Sequence, residues 1–323
     1  MSFSFFTAIR RASAVACVLV AGFAASHATP VAADAVSYIY GIDDNNVIWE
    51  LNPIGQTATP VFTAQGQLGI SGSANSNAFA YDNTRENMLF LNGSGTSSTL
   101  YVWNKPTNSL SIAATAAQLG LVSGSNQQPA NAAYNSADGG YYFFEDGTSD
   151  LYKIDFTYSG AIPTFSNRTV TTVGAGYANF SYGDIVIDPT SGSGVLYGSA
   201  TSGDFFSVDL ADPANSYNNI NNTNGLSPTT GLQLSFNTDY TQLYGHVFST
   251  AAWYVVNTND GTVGSSIWTS TFNSQPLAFR DLGGASLTQS AVPEIDPAAF
   301  GGVLALVMGS LGLLERRRMA AAA

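Results

Sequence analysis

The pattern aromatic, any residue, apolar, then Asn or Asp recurs five times in this chain. The copies are Trp49-Glu50-Leu51-Asn52, Tyr101-Val102-Trp103-Asn104, Tyr152-Lys153-Ile154-Asp155, Phe206-Ser207-Val208-Asp209 and Tyr254-Val255-Val256-Asn257. From aromatic to aromatic the steps are 52, 51, 54 and 48 residues. A fixed period near 50 residues means an array of like supersecondary units, each unable to bury its apolar face alone. Strand alternation places the aromatic and the apolar residue on one face. The Asn or Asp then opens a turn, its side chain accepting from the backbone that follows.

Three further strand types keep the same period. About ten residues upstream lie Tyr38-Ile39-Tyr40-Gly41, Leu89-Phe90-Leu91-Asn92, Tyr142-Phe143-Phe144-Glu145, Leu196-Tyr197-Gly198-Ser199 and Leu243-Tyr244-Gly245-His246. Before four of these come Ala78-Phe79-Ala80-Tyr81-Asp82, Asn131-Ala132-Ala133-Tyr134-Asn135, Ile185-Val186-Ile187-Asp188 and Leu232-Gln233-Leu234-Ser235-Phe236-Asn237. A looser fourth strand follows, as in Thr59–Phe62, Ser109–Ile112 and Arg168–Val173. The expected fold is all-β, a β-propeller of five four-stranded blades. The first unit lacks its innermost strand, and Leu277–Leu282 is a leftover strand of that type. Ring closure by this C-terminal strand removes the sheet edges that invite aggregation. A β-sandwich or β-solenoid with the same strand count is the alternative.

The two ends of the chain carry a different chemistry. Arg10-Arg11, the apolar run Ala12–Ala25 and Ser26-His27-Ala28 form a secretory signal peptide over 1–28, with cleavage as late as 35 the second choice. Cys17 lies inside it and is the sole cysteine, so the exported part has no disulfide and no thiolate site. Residues 36–288 make the ectodomain and 289–297 a linker. Residues 298–314 are an uncharged stretch at the short end of the ~17–25 residues a spanning helix needs. Residues 315–323 are a basic tail whose Arg316, Arg317 and Arg318 favour the cytoplasmic side.

Val292-Pro293-Glu294 before an apolar helix and the run Arg316-Arg317-Arg318 resembles the PEP-CTERM sorting signal of Gram-negative bacteria. Ile295 stands where that motif has its second proline, and the next proline is Pro297, a Val-Pro-Glu-Ile-Asp-Pro variant. The resemblance covers only about residues 291–318. It implies processing by an exosortase-type membrane enzyme, a transient anchor in the inner membrane, and a cell-envelope or matrix location in a cell that secretes exopolysaccharide.

Between Asp34 and Ser290 stand nineteen acidic and five basic residues, a net charge of about −14 that repels nucleic acid and anionic lipid. Asp82, Asp184, Asp188 and Asp281 lie at or near innermost strands. They are the catalytic candidates if the propeller is a carbohydrate hydrolase, which needs two carboxyls ~5–10 Å apart across a sugar. Asn135 and Asn237 stand at equivalent places, which favours turn capping for these acids. Asp43, Asp44, Asp146, Asp150 and Asp260 lie in oxygen-rich loops and are calcium candidates, but no loop has the full calcium pattern, and ordinary turns explain them better. No cofactor is expected. His246 reads as a surface or hydrogen-bonded structural residue. The five aromatics of the repeat read as inter-blade core, and Tyr177, Tyr182, Tyr217 and Trp268 as exposed glycan contacts. The resulting expectation is a non-enzymatic structural or binding module for polysaccharide or a surface protein, with the hydrolase as the alternative.

Overall fold

Short Tyr-, Phe- and Val-rich runs between Gly, Asn and Asp clusters fold as antiparallel strands, because alternation gives each run one apolar face. The structure, a computed structural model, describes residues 37–63, 76–93, 97–121, 129, 131–145, 147–174, 183–200, 203–221, 224–226 and 230–287. The signal segment, Asp146, Tyr177, Tyr182, the sorting residues Val292, Pro293, Glu294 and Arg316–Arg318, and the apolar stretch 298–314 lie outside the described residues. Among the described residues no helix is long and apolar enough to cross a membrane.

Five four-stranded antiparallel sheets make a five-bladed propeller. Blade A takes β1 (Ser37–Asp43), β2 (Val47–Asn52) and β3 (Thr57–Thr63). Blade B is β4 (Ser76–Asp82), β5 (Asn87–Asn92), β6 (Thr99–Asn104) and β7 (Ser109–Ala114), followed by the one-turn helix α1 (Ala116–Leu119). Blade C is β8 (Ala133–Asn135), β9 (Gly140–Phe144), β10 (Asp150–Ser159) and β11 (Ile162–Thr172). Blade D is β12 (Asp184–Asp188), β13 (Val195–Ser199), β14 (Phe205–Asp209) and β15 (Asn218–Asn221). Blade E is β16 (Gln233–Phe236), β17 (Leu243–Val247), β18 (Ala252–Val256) and β19 (Trp268–Thr269). A small hairpin follows, β20 (Thr271–Phe272) with β21 (Gln275–Pro276), and then β22 (Phe279–Leu287), which pairs antiparallel with β1. The five inner strands contact in the cycle β22, β4, β8, β12, β16 and back to β22. The leftover strand thus starts two residues later than its sequence pattern and runs five residues further.

Crowding explains the glycines of the second strands: a Cβ would meet Leu282 and Phe279 at Gly41, Phe206 at Gly198, and Val256 and Leu232 at Gly245. In three blades a glycine of the second strand faces the aromatic of the third: Gly41 opposite Trp49, Gly198 opposite Phe206, Gly245 opposite Tyr254. At Gly198 a Cβ would lie 2.1 Å from the Phe206 ring, so the ring occupies the space a side chain would need. In the other two blades a second aromatic stands there and the rings stack, Phe90 on Tyr101 and Phe143 on Tyr152, with centroids 6.0 and 4.9 Å apart. Trp49, Tyr152 and Phe206 are buried, and Tyr101 and Tyr254 are half-buried. The apolar clusters run between blades, so each seam is a small core.

Turn chemistry follows the residue types. Asn52, Asn104, Asp209 and Asn257 each accept a backbone N–H two or three residues on. Blade C departs from its neighbours: its outer pair β10–β11 runs ten and eleven residues. The hairpin tip lies over blade B, where Ala161 O accepts from Asn87 Nδ2 at 2.7 Å and the Tyr158 ring sits 3.7 Å below the Arg85 guanidinium.

Candidate functional site

Each inner strand brings one polar side chain to the same step. Asp184 lies opposite Ser199, Gln233 opposite His246, Asp281 opposite Ile42 and Asn77 opposite Leu91. Asn131, just before β8, joins them: its Oδ1 accepts Phe144 N at 2.9 Å. In β4 the register slips between Asn77 and Ala80, and Ala78 takes a φ of 51°. That bulge carries Asn77 into line, one residue earlier than simple counting from Asp82 gives. The amide atoms Asn77 Oδ1, Asn131 Nδ2 and Gln233 Oε1 are buried without a protein partner.

Two of the four catalytic candidates meet in this ring. Asp184 and Asp281 are both fully buried, and their carboxyl groups are in hydrogen-bonding contact with each other. Asp184 accepts from Ile185 N at 2.7 Å and from Leu234 N of blade E at 2.8 Å. Asp281 accepts from Leu282 N at 2.9 Å and from Phe79 N of blade B at 2.6 Å. Two ionised carboxylates in contact, out of water, repel; a shared proton removes the conflict. Burial accordingly pushes Asp184 up to about 8, and burial together with the Asp184 charge raises Asp281 well above the carboxylate range. Tyr141, whose hydroxyl donates to Ala78 O, is raised by burial and by both acids.

Asp82 and Asp188 are elsewhere and do something else. Asp82 accepts from Thr84 N and Arg85 N and pairs with the Arg85 guanidinium at 3.4 Å. Asp188 accepts from Thr190 N at 2.9 Å and Thr190 Oγ1 at 2.6 Å. Both cap the turns after their strands, as Asn135 does by accepting Ala137 N. The calcium candidates are likewise occupied. Asp43 takes Asn45 N, Val47 N and Trp49 Nε1; Asp44 pairs with Arg280; Asp150 takes Thr172 Oγ1; Asp260 takes Thr262 N and Oγ1. Among the described residues no three of His, Cys, Asp or Glu cluster to hold a metal.

On the axis the inner strands leave a cavity of about 30 Å³, room for one or two waters. Tyr81, Tyr134, Ile187, Phe236 and Gly284 line it, with Tyr240 and Asn83 beside them. Gly284, at φ 113°, supplies the gap in that wall.

Three residues depart from their sequence expectations. Trp268 is buried, stacked on Trp253 at 5.7 Å, because the seam between blades E and A needs that volume. Tyr217 is half-buried against Phe206. His246 is neither exposed nor hydrogen-bonded. It is fully buried between Trp253 and Phe279, and both ring nitrogens lack a partner. Burial drops it to about 3, so it is neutral at pH 7. A base with a depressed folded value gives its full stability above the unfolded value of ~6.5 and loses it as pH falls toward 3. His246→Leu therefore removes two unpartnered polar atoms and is expected to add about 1 kcal/mol at pH 7. The gain grows between pH 6 and pH 4; urea midpoints of the two proteins across that range check it.

No protein-family model matches the sequence, and no curated protein matches it. Solved structures are similar to it at low identity. A chain of a nidogen/laminin complex is 11% identical with a TM-score of 0.49, covering 79% of this chain and 100% of that one. An auxiliary nutrient binding protein from Bacteroides thetaiotaomicron is 11% identical with a TM-score of 0.44, covering 78% and 61%. Regucalcin, a calcium-binding protein from Agrobacterium tumefaciens, is 12% identical with a TM-score of 0.42, covering 66% and 65%.

Proposed function

We propose that this chain is an exported, non-enzymatic binding module of the cell envelope or extracellular matrix, with polysaccharide or a surface protein as its partner. The observation that carries this reading is the state of the acids. Asp184 and Asp281 touch and are sealed from solvent, and Asp82 and Asp188 are spent on turns. A glycosidase keeps its two carboxyls ~5–10 Å apart with a sugar between them. Recognition then falls to the outer surface, whose exposed positions among the described residues are mostly Thr, Ser, Asn and Asp.

The ends of the chain complete the proposal. The N-terminal segment directs export. The 298–314 stretch holds the protein in the inner membrane until an exosortase-type enzyme acts at Val292-Pro293-Glu294, with Arg316–Arg318 left in the cytoplasm. We read the pairing of β22 with β1 as the closure that makes the ring independent of that tail.

Co-sedimentation of the protein with exopolysaccharide from the producing strain, with reducing ends assayed in the same tubes, tests the module. Binding without new reducing ends is the expected result. New reducing ends would establish the hydrolase instead, and neither binding nor cleavage would turn the search to a protein partner.

A further inference from the structure

We propose that the Asp184–Asp281 pair is a proton-operated latch on the last strand of the ring. The latch joins β12 to β22 across the axis, two strands that are not neighbours in any sheet. Each carboxyl also reaches forward to the next blade, Asp184 to Leu234 N on β16 and Asp281 to Phe79 N on β4. Four inner strands are thus tied through two side chains. One of the four, β22, comes last in the ring and pairs in its sheet only with β1. It can leave without unthreading any other blade.

Both carboxyls are fully buried, and their contact carries at least one proton. Other titratable groups of the elements packed here are placed so that none supplies a countercharge. Tyr141 is neutral and bonded to Ala78 O; Asp82 and Asp188 face their own turns; Arg280 turns outward to Asp44; His246 is neutral. When β22 leaves, both carboxyls meet water and regain ordinary values near 4. The closed pair stays protonated where the open carboxyls are ionised, so opening above pH ~4 releases at least one proton to solvent. The sign follows: the closed state binds more protons, so rising pH favours the open one, by tenfold per pH unit for one proton.

Hydrogen exchange of the full chain, followed by mass spectrometry at pH 5, 6, 7 and 8, tests this. Exchange times are scaled for the intrinsic pH dependence of amide exchange. The opening constant of the β22 peptide, with its partner β1, is expected to rise at least tenfold per pH unit. In Asp281→Asn the amide donates to Asp184 without needing a proton and only Asp184 is left to titrate, so the slope should fall. Asp184→Asn makes the same test from the other side and serves if the first variant fails to fold. Protection of β22 that does not vary with pH would overturn the latch. So would an equal slope in every blade, which marks global unfolding, or a slope unchanged in both variants.

Discussion

Trp253→Ala is expected to cost about 3–5 kcal/mol, the range for removing a large buried aromatic. The indole is fully buried at the seam between blades E and A. It stacks on Trp268, meets Phe279 edge-on at 6.1 Å and lies 5.0 Å from His246. Its Nε1 donates to Ser270 Oγ at 3.1 Å, and Ser270 in turn donates its one hydroxyl proton to Leu277 O at 2.6 Å. Truncation leaves a cavity that stiff rings cannot collapse into, and it takes one acceptor's partner away. Trp253→Phe should recover part of the loss, since it keeps the ring contacts and drops the hydrogen bond. Urea unfolding with an unchanged slope reads the difference directly. A loss below about 1.5 kcal/mol would mean that the seam is loosely packed.

Asp43→Ala should cost about 3 kcal/mol, while Asp44→Ala one residue on should cost about 0.5 or less. The contrast lies in where the two carboxylates point. Asp43 is buried at 4% exposure and takes three donors, Asn45 N at 2.8 Å, Val47 N at 2.9 Å and Trp49 Nε1 at 3.0 Å. It shapes the β1–β2 turn and orients the repeat tryptophan in one stroke. Removing it strands a buried indole N–H, and such orphaned donors carry the largest part of the penalty. Asp44 is about half exposed and holds only a surface pair with Arg280. Thermal or urea midpoints of the two variants, taken with and without calcium, check both the size of the effect and its origin. A calcium-dependent midpoint that Asp43→Ala abolishes would restore the metal reading of this loop.

Much of the fold was legible because blades repeat their chemistry. The aromatic-x-apolar-Asn strand is half-buried on one face and turn-forming at its end, so its pattern survives in sequence. The outer strands did not all survive. Asn218-Asn219-Ile220-Asn221 is exposed or half-buried throughout, and an edge strand with no buried face has no alternation to show. β19 spans only Trp268–Thr269. The acids were found as candidates but not sorted. Asp188 sits at the end of β12 and Asp184 at its start, so only Asp188 shares the turn position of Asn135 and Asn237. That difference was available from counting. The meeting of Asp184 with Asp281 was not, because it crosses the ring between blades distant in sequence. Asn77 was hidden by the bulge at Ala78, which shifts the count by one. The step that His246 takes in the second strand is held by Ile42, Leu91, Phe144 and Ser199 in the other blades, all of them buried.

Ser37 and Leu287 are Cα partners in the β1–β22 pair. The polypeptide therefore enters and leaves the propeller at one spot, on adjacent antiparallel strands. Tension drawn between those two ends does not shear the sheet along its length. It loads the outermost hydrogen bonds first and opens the pair like a zipper, one step at a time. The blade that joins the two ends is in this direction the mechanically soft one, however well its seam is packed.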